Sequence, residues 1–97
     1  MEAIKVILRQ TYYDKGFFNI RVLYSELFGI DNSIIKIQCG IELPIIEGYI
    51  YRRVNKNNTP RIMGGKNLRD WVQKNFQTND VMMVDIISPV SIRLSKK

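Results

Sequence analysis

Gly65-Lys66-Asn67-Leu68-Arg69-Asp70-Trp71-Val72-Gln73-Lys74-Asn75-Phe76-Gln77-Thr78-Asn79-Asp80-Val81-Met82-Met83-Val84 joins a helical period to a strand through a turn. Leu68, Trp71, Val72 and Phe76 recur at i, i+3, i+4 and i+8, which puts them on one face of a helix over 66–76. Arg69, Gln73 and Lys74 fall on the outer face, so the Trp71 stripe is core. Asn67 and Asp70, three residues apart, have the form of a capping pair. Thr78-Asn79-Asp80 turns the chain, and Val81 to Ile87 has the apolar and β-branched content of a strand.

Elsewhere the chain predicts strands. Ile4 to Arg9 is a first strand, followed by a polar loop, Gln10 to Gly16. Phe17 to Val22 is a second strand, and Leu23 to Phe28 is one or two helical turns that Gly29 ends. Asp31-Asn32-Ser33 is a turn. Ile35, Ile37 and Cys39 alternate with Lys36 and Gln38 in a third strand, Ile34 to Cys39. Pro44 opens a stretch in which Ile45 to Val54 is a long strand, and Asn55 to Pro60 is a loop. Arg61 to Met63 is a short strand, and Ser91 to Leu94 is a strand after the Ser88-Pro89 break. The total is seven strands and two short helices, a mostly β, barrel-like single domain without repeats or linkers.

Composition narrows the chemistry. The 97 residues contain no histidine and one cysteine, which removes the commonest general base and every Cys/His zinc site. Cys39 has no disulfide partner, which fits a reducing cytoplasm. No apolar run is long enough to span a membrane, and Met1 to Lys5 lacks the form of a signal peptide. The expectation is a non-catalytic domain without cofactor or metal. Net charge is +6 with a pI near 9.7, and its placement matters more than its size. From Gly48 to Arg69 stand Arg52, Arg53, Lys56, Arg61, Lys66 and Arg69 with no carboxylate, while the other nine cations match nine carboxylates. A single segment holding the whole excess is an electrostatic footprint for a polyanion.

Two constellations carry that reading. Arg52, Arg53, Asn55, Lys56, Asn57, Asn58 and Arg61 surround the end of the long strand. The arginine fork matches guanine O6 and N7, and asparagine matches adenine N6 and N7, so such a loop supplies both positioning and readout groups. The alternative is a polar hairpin tip whose Asn and Thr satisfy turn geometry. The second is Arg9, Gln10, Tyr12, Tyr13, Asp14 and Lys15. Paired tyrosines in a polar loop either stack on bases and bond phosphates or cap a barrel end. Gly64-Gly65-Lys66 is not a phosphate-binding loop, because the upstream glycine spacing and the final Ser or Thr are absent. Lys66 remains a candidate for a backbone phosphate. Asp80 suits the turn and Asp85 the outer face of a strand, so neither suggests a magnesium site.

The order of parts, with Gly-Phe-Phe-Asn-Ile at residues 16–20, a basic loop after a long strand, and the stretch from Gly65 to Val84, resembles the DNA-binding pseudobarrel superfamily. That superfamily includes the plant B-three domain and recognition domains of bacterial restriction endonucleases. Where its members have Ile-Pro-Lys this chain has Ile20-Arg21-Val22, and their Gly-Asp turn is Asn79-Asp80. The resemblance implies a seven-stranded open pseudobarrel with two short helices that grips the major groove of double-stranded DNA between two arms. Those arms map to Gln10 through Lys15 and Arg52 through Arg61. It also implies a monomeric targeting domain of a restriction system of the McrBC type, joined to a nuclease or nucleotide-driven motor, with Met1 leading directly into strand one. The rivals are a dimeric swapped-hairpin transcription regulator, a protein-interaction domain with a basic docking arm and, last, a magnesium-dependent phosphodiesterase.

Overall fold

The structure is a computed structural model and describes residues 2–40 and 45–97. Its strands are β1 (Glu2–Ile7), β2 (Phe17–Asn19), β3 (Ile34–Cys39), β4 (Ile45–Tyr51), β5 (Arg61–Met63), β6 (Val81–Ser88) and β7 (Ser91–Lys96). They form one sheet in the order β1-β6-β7-β3-β4-β5-β2. β3 pairs with β7 in parallel, and every other pairing is antiparallel. The sheet curls into an open pseudobarrel whose seam lies between its two edge strands, β1 and β2.

Alternation places the core inside. Ile4 and Val6 of β1, Ile35, Ile37 and Cys39 of β3, Met82, Val84 and Ile86 of β6, and Ile92 and Leu94 of β7 are buried, while neighbours such as Lys5 and Lys36 face water. Ile35, Ile37, Ile50 and Ile62 have no accessible surface, so truncating any of them to Ala costs about 2–5 kcal/mol. The helical stripe joins this core through Leu68, Val72 and Phe76, and half-buried Trp71 packs edge-to-face on Phe76 with centroids 5.4 Å apart.

Several expectations need correction. Gln10–Lys15 is a helix, α1, not a loop. No side chain caps it; half-buried Tyr12 and Tyr13 hold it by packing on the core, so tertiary contact overrides weak local propensity. Gly16, with φ 74, ends it in the left-handed region, and its carbonyl accepts the N–H groups of Gly64 and Gly65 at 3.0 and 3.1 Å. A Cβ on Gly16 would strike the Gly65 carbonyl oxygen, so the junction of the two helices requires glycine.

The second helix, α2 (Gly65–Asn75), starts earlier than the Asn67–Asp70 pair implies. No side chain caps it, and Asp70 instead accepts from Arg69. β1 ends at Ile7, β2 at Asn19 and β4 at Tyr51, each short of the expected strand. Residues Val22–Leu27 form a 3-10 helix, and Lys56–Asn58 adds a 3-10 turn. The Asn79-Asp80 turn behaves as its sequence suggests: Asn79 has φ 74, and Asp80 Oδ2 accepts from the Gln77 N–H at 2.8 Å. The expected opening of the long strand at Pro44 lies outside the described residues.

Candidate nucleic-acid interface

Two segments flank the seam. The first is α1 with Arg9 before it, anchored because the Leu8 N–H donates to Asp80 O at 2.9 Å and the Asn79 N–H to Leu8 O at 2.7 Å. Arg9 Nη1 donates to Asn79 Oδ1 at 3.1 Å, and Gln10 Nε2 to Asp14 Oδ1 at 2.9 Å. Gln10, Asp14 and Lys15 are exposed. The two tyrosines part company. Tyr12 stands edge-to-face to Phe17, centroids 5.7 Å apart, and faces the seam. Tyr13 turns to α2, where Gln73 Nε2 donates to its carbonyl at 3.0 Å.

The second segment runs from Arg52 to Arg61. Its tip is Lys56, Asn57 and Asn58, all exposed, with Asn57 and Asn58 at positive φ (61 and 55), which asparagine tolerates. The three arginines have different surroundings. Arg52 is half-buried, and its five guanidinium N–H groups meet five acceptors. Nε donates to Gly29 O at 2.8 Å. Nη1 reaches Ser25 Oγ at 2.9 Å and Asn58 O at 2.7 Å. Nη2 reaches Ser25 O at 2.9 Å and Phe28 O at 3.0 Å. Its backbone N–H donates to Asp31 Oδ1 at 2.8 Å. Arg52 thus ties the 3-10 helix Val22–Leu27 to the loop tip and has no donor left to offer.

Arg53 is exposed; its Nε lies 3.0 Å from Asp31 Oδ2, and its Cζ stands 5.2 Å from the Tyr51 ring centroid. Arg61 is half-buried with its Cζ 4.2 Å from the Phe17 centroid, and its Nε donates to Asn19 Oδ1 at 2.9 Å. The same oxygen accepts Asn55 Nδ2 at 2.9 Å. Lys66, also exposed, is the second residue of α2.

Beside α1 the seam opens as a groove of about 280 Å³. Lys5, Arg9 and Arg21 lie on its walls with Tyr12, Asn19 and Tyr24, and no carboxylate lines it. Sequence reasoning missed Lys5, Asn19, Arg21 and Tyr24. The available signal was Asn19, a residue depleted in strands, standing inside a β-rich run.

Two aspartates are paired within the fold. Asp85 pairs with Arg93 at 3.3 Å and Asp31 with Arg53. Among the described residues no group of three His, Cys, Asp or Glu side chains could hold a metal ion, and no helix is long and apolar enough to cross a membrane.

Neither a protein-family model nor a curated protein sequence matches the chain. Solved structures do. The N-terminal domain of Helicobacter pylori LlaJI.R1 superposes with a TM-score of 0.72 at 14% identity over 97% of this chain and 79% of its own. The hypothetical Arabidopsis thaliana protein At1g16640.1 gives 0.68 at 8% identity over 97% and 87%. Arabidopsis FUS3, solved in complex with DNA, gives 0.63 at 15% identity over 96% and 95%. At such identities the shared property is the fold, and that fold is the B-three-like pseudobarrel.

Proposed function

We propose that this domain binds double-stranded DNA in the major groove with sequence preference, through α1 on one side of the seam and the segment Arg52 to Arg61 on the other. The observation that carries the reading is charge placement. The carboxylate-free basic segment of the sequence reaches the seam through Asn55 and Arg61, both bonded to Asn19, and Asn19 lines a groove that holds three cations and no carboxylate. A polyanion at the seam meets complementary potential from the groove cations and from the exposed cations of the basic segment. A FUS3 structure with the same fold was solved in complex with DNA, which agrees with this reading.

Roles divide by exposure. Lys15, Lys56 and Lys66 are flexible, exposed point charges suited to phosphates, as are Lys5 and Arg21 along the groove. Arg53 and Arg61 carry planar groups suited to base edges, with Gln10 and Tyr12 opposite, while Asn55, whose Nδ2 bonds Asn19 and Thr59, holds the segment in place. Arg52 holds the second segment in place. The domain performs no chemistry of its own and acts as the targeting part of a restriction system whose nuclease or motor is a separate module.

A titration of the isolated domain against labelled duplex, followed by anisotropy, tests the reading. With roughly four to seven phosphate contacts, log affinity falls against log salt with a slope of about −0.9 per contact. A flat salt profile, or binding to single strands alone, refutes it.

A further inference from the structure

Of the three arginines in the second segment, we propose that Arg61 is the specificity-determining residue and reads a guanine; this rests on the DNA-binding reading above. Its guanidinium is fixed in three ways. One face lies on Phe17, with Cζ 4.2 Å from the ring centroid. One edge is tied by Nε to Asn19 Oδ1 at 2.9 Å. That oxygen is itself held from the far side by Asn55 Nδ2 at 2.9 Å. Phe17 is braced in turn by Tyr12 of α1, centroids 5.7 Å apart, so α1 helps to set the plane of Arg61.

Stacking covers a face and the Nε bond takes one edge, which leaves the terminal Nη1 and Nη2 edge. Neither of these atoms bonds any group among the described residues, and no buried side-chain nitrogen or oxygen there lacks a partner. Both therefore face solvent, on a guanidinium tied to Asn19, which itself lines the groove at the seam. A planar pair of donors with a fixed spacing and plane is the complement of guanine O6 and N7. Side-chain ordering is complete before DNA arrives, so the fork loses little rotamer freedom on binding.

The other two arginines do not offer this. Arg52 has all five donors engaged within the fold. Arg53 is exposed, its Cζ stands farther from an aromatic face, 5.2 Å from the Tyr51 centroid, and the Asp31 carboxylate 3.0 Å from its Nε partly offsets its charge, so its fork is less firmly fixed. Arg61 contacts only a neutral amide and an aromatic face, so its full charge and one whole edge remain.

The experiment uses the preferred duplex selected from a randomised pool, with each guanine replaced singly by 7-deazaguanine, which lacks the N7 acceptor. Wild type should weaken at one guanine by about tenfold, within the discrimination of a bidentate pair. Arg61→Ala should be insensitive to that replacement, while Arg53→Ala remains sensitive. Arg61→Lys keeps the charge and the stem on Phe17 but not the fork. It should stay folded and lose the preference by the same factor as Arg61→Ala. The proposal is overturned if every guanine that matters to wild type matters equally to Arg61→Lys. Failure of wild type to bind any duplex in a salt-dependent way is a different result and removes the DNA reading itself.

Discussion

Replacing Arg52 with alanine separates a positioning role from a contact role. The side chain reaches four carbonyl oxygens and one hydroxyl in three stretches of chain, and four of those five bonds are half-buried. Hydrogen bonds to a charged group contribute about 1.5–3 kcal/mol apiece where water is excluded. A simple sum overstates the loss, because water reaches the vacated carbonyls and the guanidinium is hydrated in the unfolded chain. A net destabilisation of about 2–4 kcal/mol is expected. For a domain of this size it lowers Tm by roughly 8–30 °C.

Arg52→Lys should recover less than half of this, since an ammonium cannot match a planar set of acceptors. Urea melts followed by tryptophan fluorescence give the stability. Anisotropy well below each variant's melt gives DNA affinity, expected to fall alike on preferred and scrambled duplexes. If Arg52→Ala keeps the wild-type melt and loses only its preference among sequences, Arg52 is a base contact and the saturated geometry described above is not what it does in solution.

Lys56→Ala and Lys66→Ala should each weaken binding to all sequences equally and make the salt slope shallower by about one unit; a sequence-selective loss in either would assign it to a base. The Cys39 thiol is buried at 1% exposure, and burial pushes its pKa up to about 11. The neutral form is therefore the folded one. Its contribution to stability is complete below the ordinary pKa of 9.0 and is lost as pH rises toward about 11. At pH 8 a disulfide reagent should label the thiol only as fast as the domain unfolds, and at once in urea; rapid labelling of the native protein would contradict its burial.

Much of this architecture is written in local pattern. The alternation of Ile35, Ile37 and Cys39 against Lys36, and the stripe Leu68, Val72 and Phe76, each forecast which side chains are buried. The basic excess between Gly48 and Arg69 includes Arg61, which bonds the groove-lining Asn19. What local pattern concealed depends on distant partners. Gln10–Lys15 has no capping side chain, and only its packing on Phe17 and α2 makes it a helix. Arg52 and Arg53 are neighbours of the same type, yet one is consumed by Ser25, Phe28 and Gly29 while the other lies exposed against Asp31. Asn19 is a single amide in a short strand, and its meaning depends on Asn55 and Arg61 arriving beside it.

β7 comes after every other strand in the chain yet lies in the interior of the sheet, between β6 and β3. During synthesis a ribosome delivers both neighbours first. Until Ser91–Lys96 emerges, β1 and β6 can form only a two-stranded ribbon, while β3, β4, β5 and β2 form a separate half-sheet. Each half then shows a bare edge, β6 on one and β3 on the other, of the kind that templates aggregation. Insertion of one six-residue strand, antiparallel to β6 and parallel to β3, joins the halves and encloses Ile37 and Leu94 together. Pairings of such long sequence separation are slow to nucleate, so assembly belongs on the millisecond-to-second scale despite the short chain. A nascent or clipped chain lacking that strand is two adhesive fragments, not a smaller version of the domain.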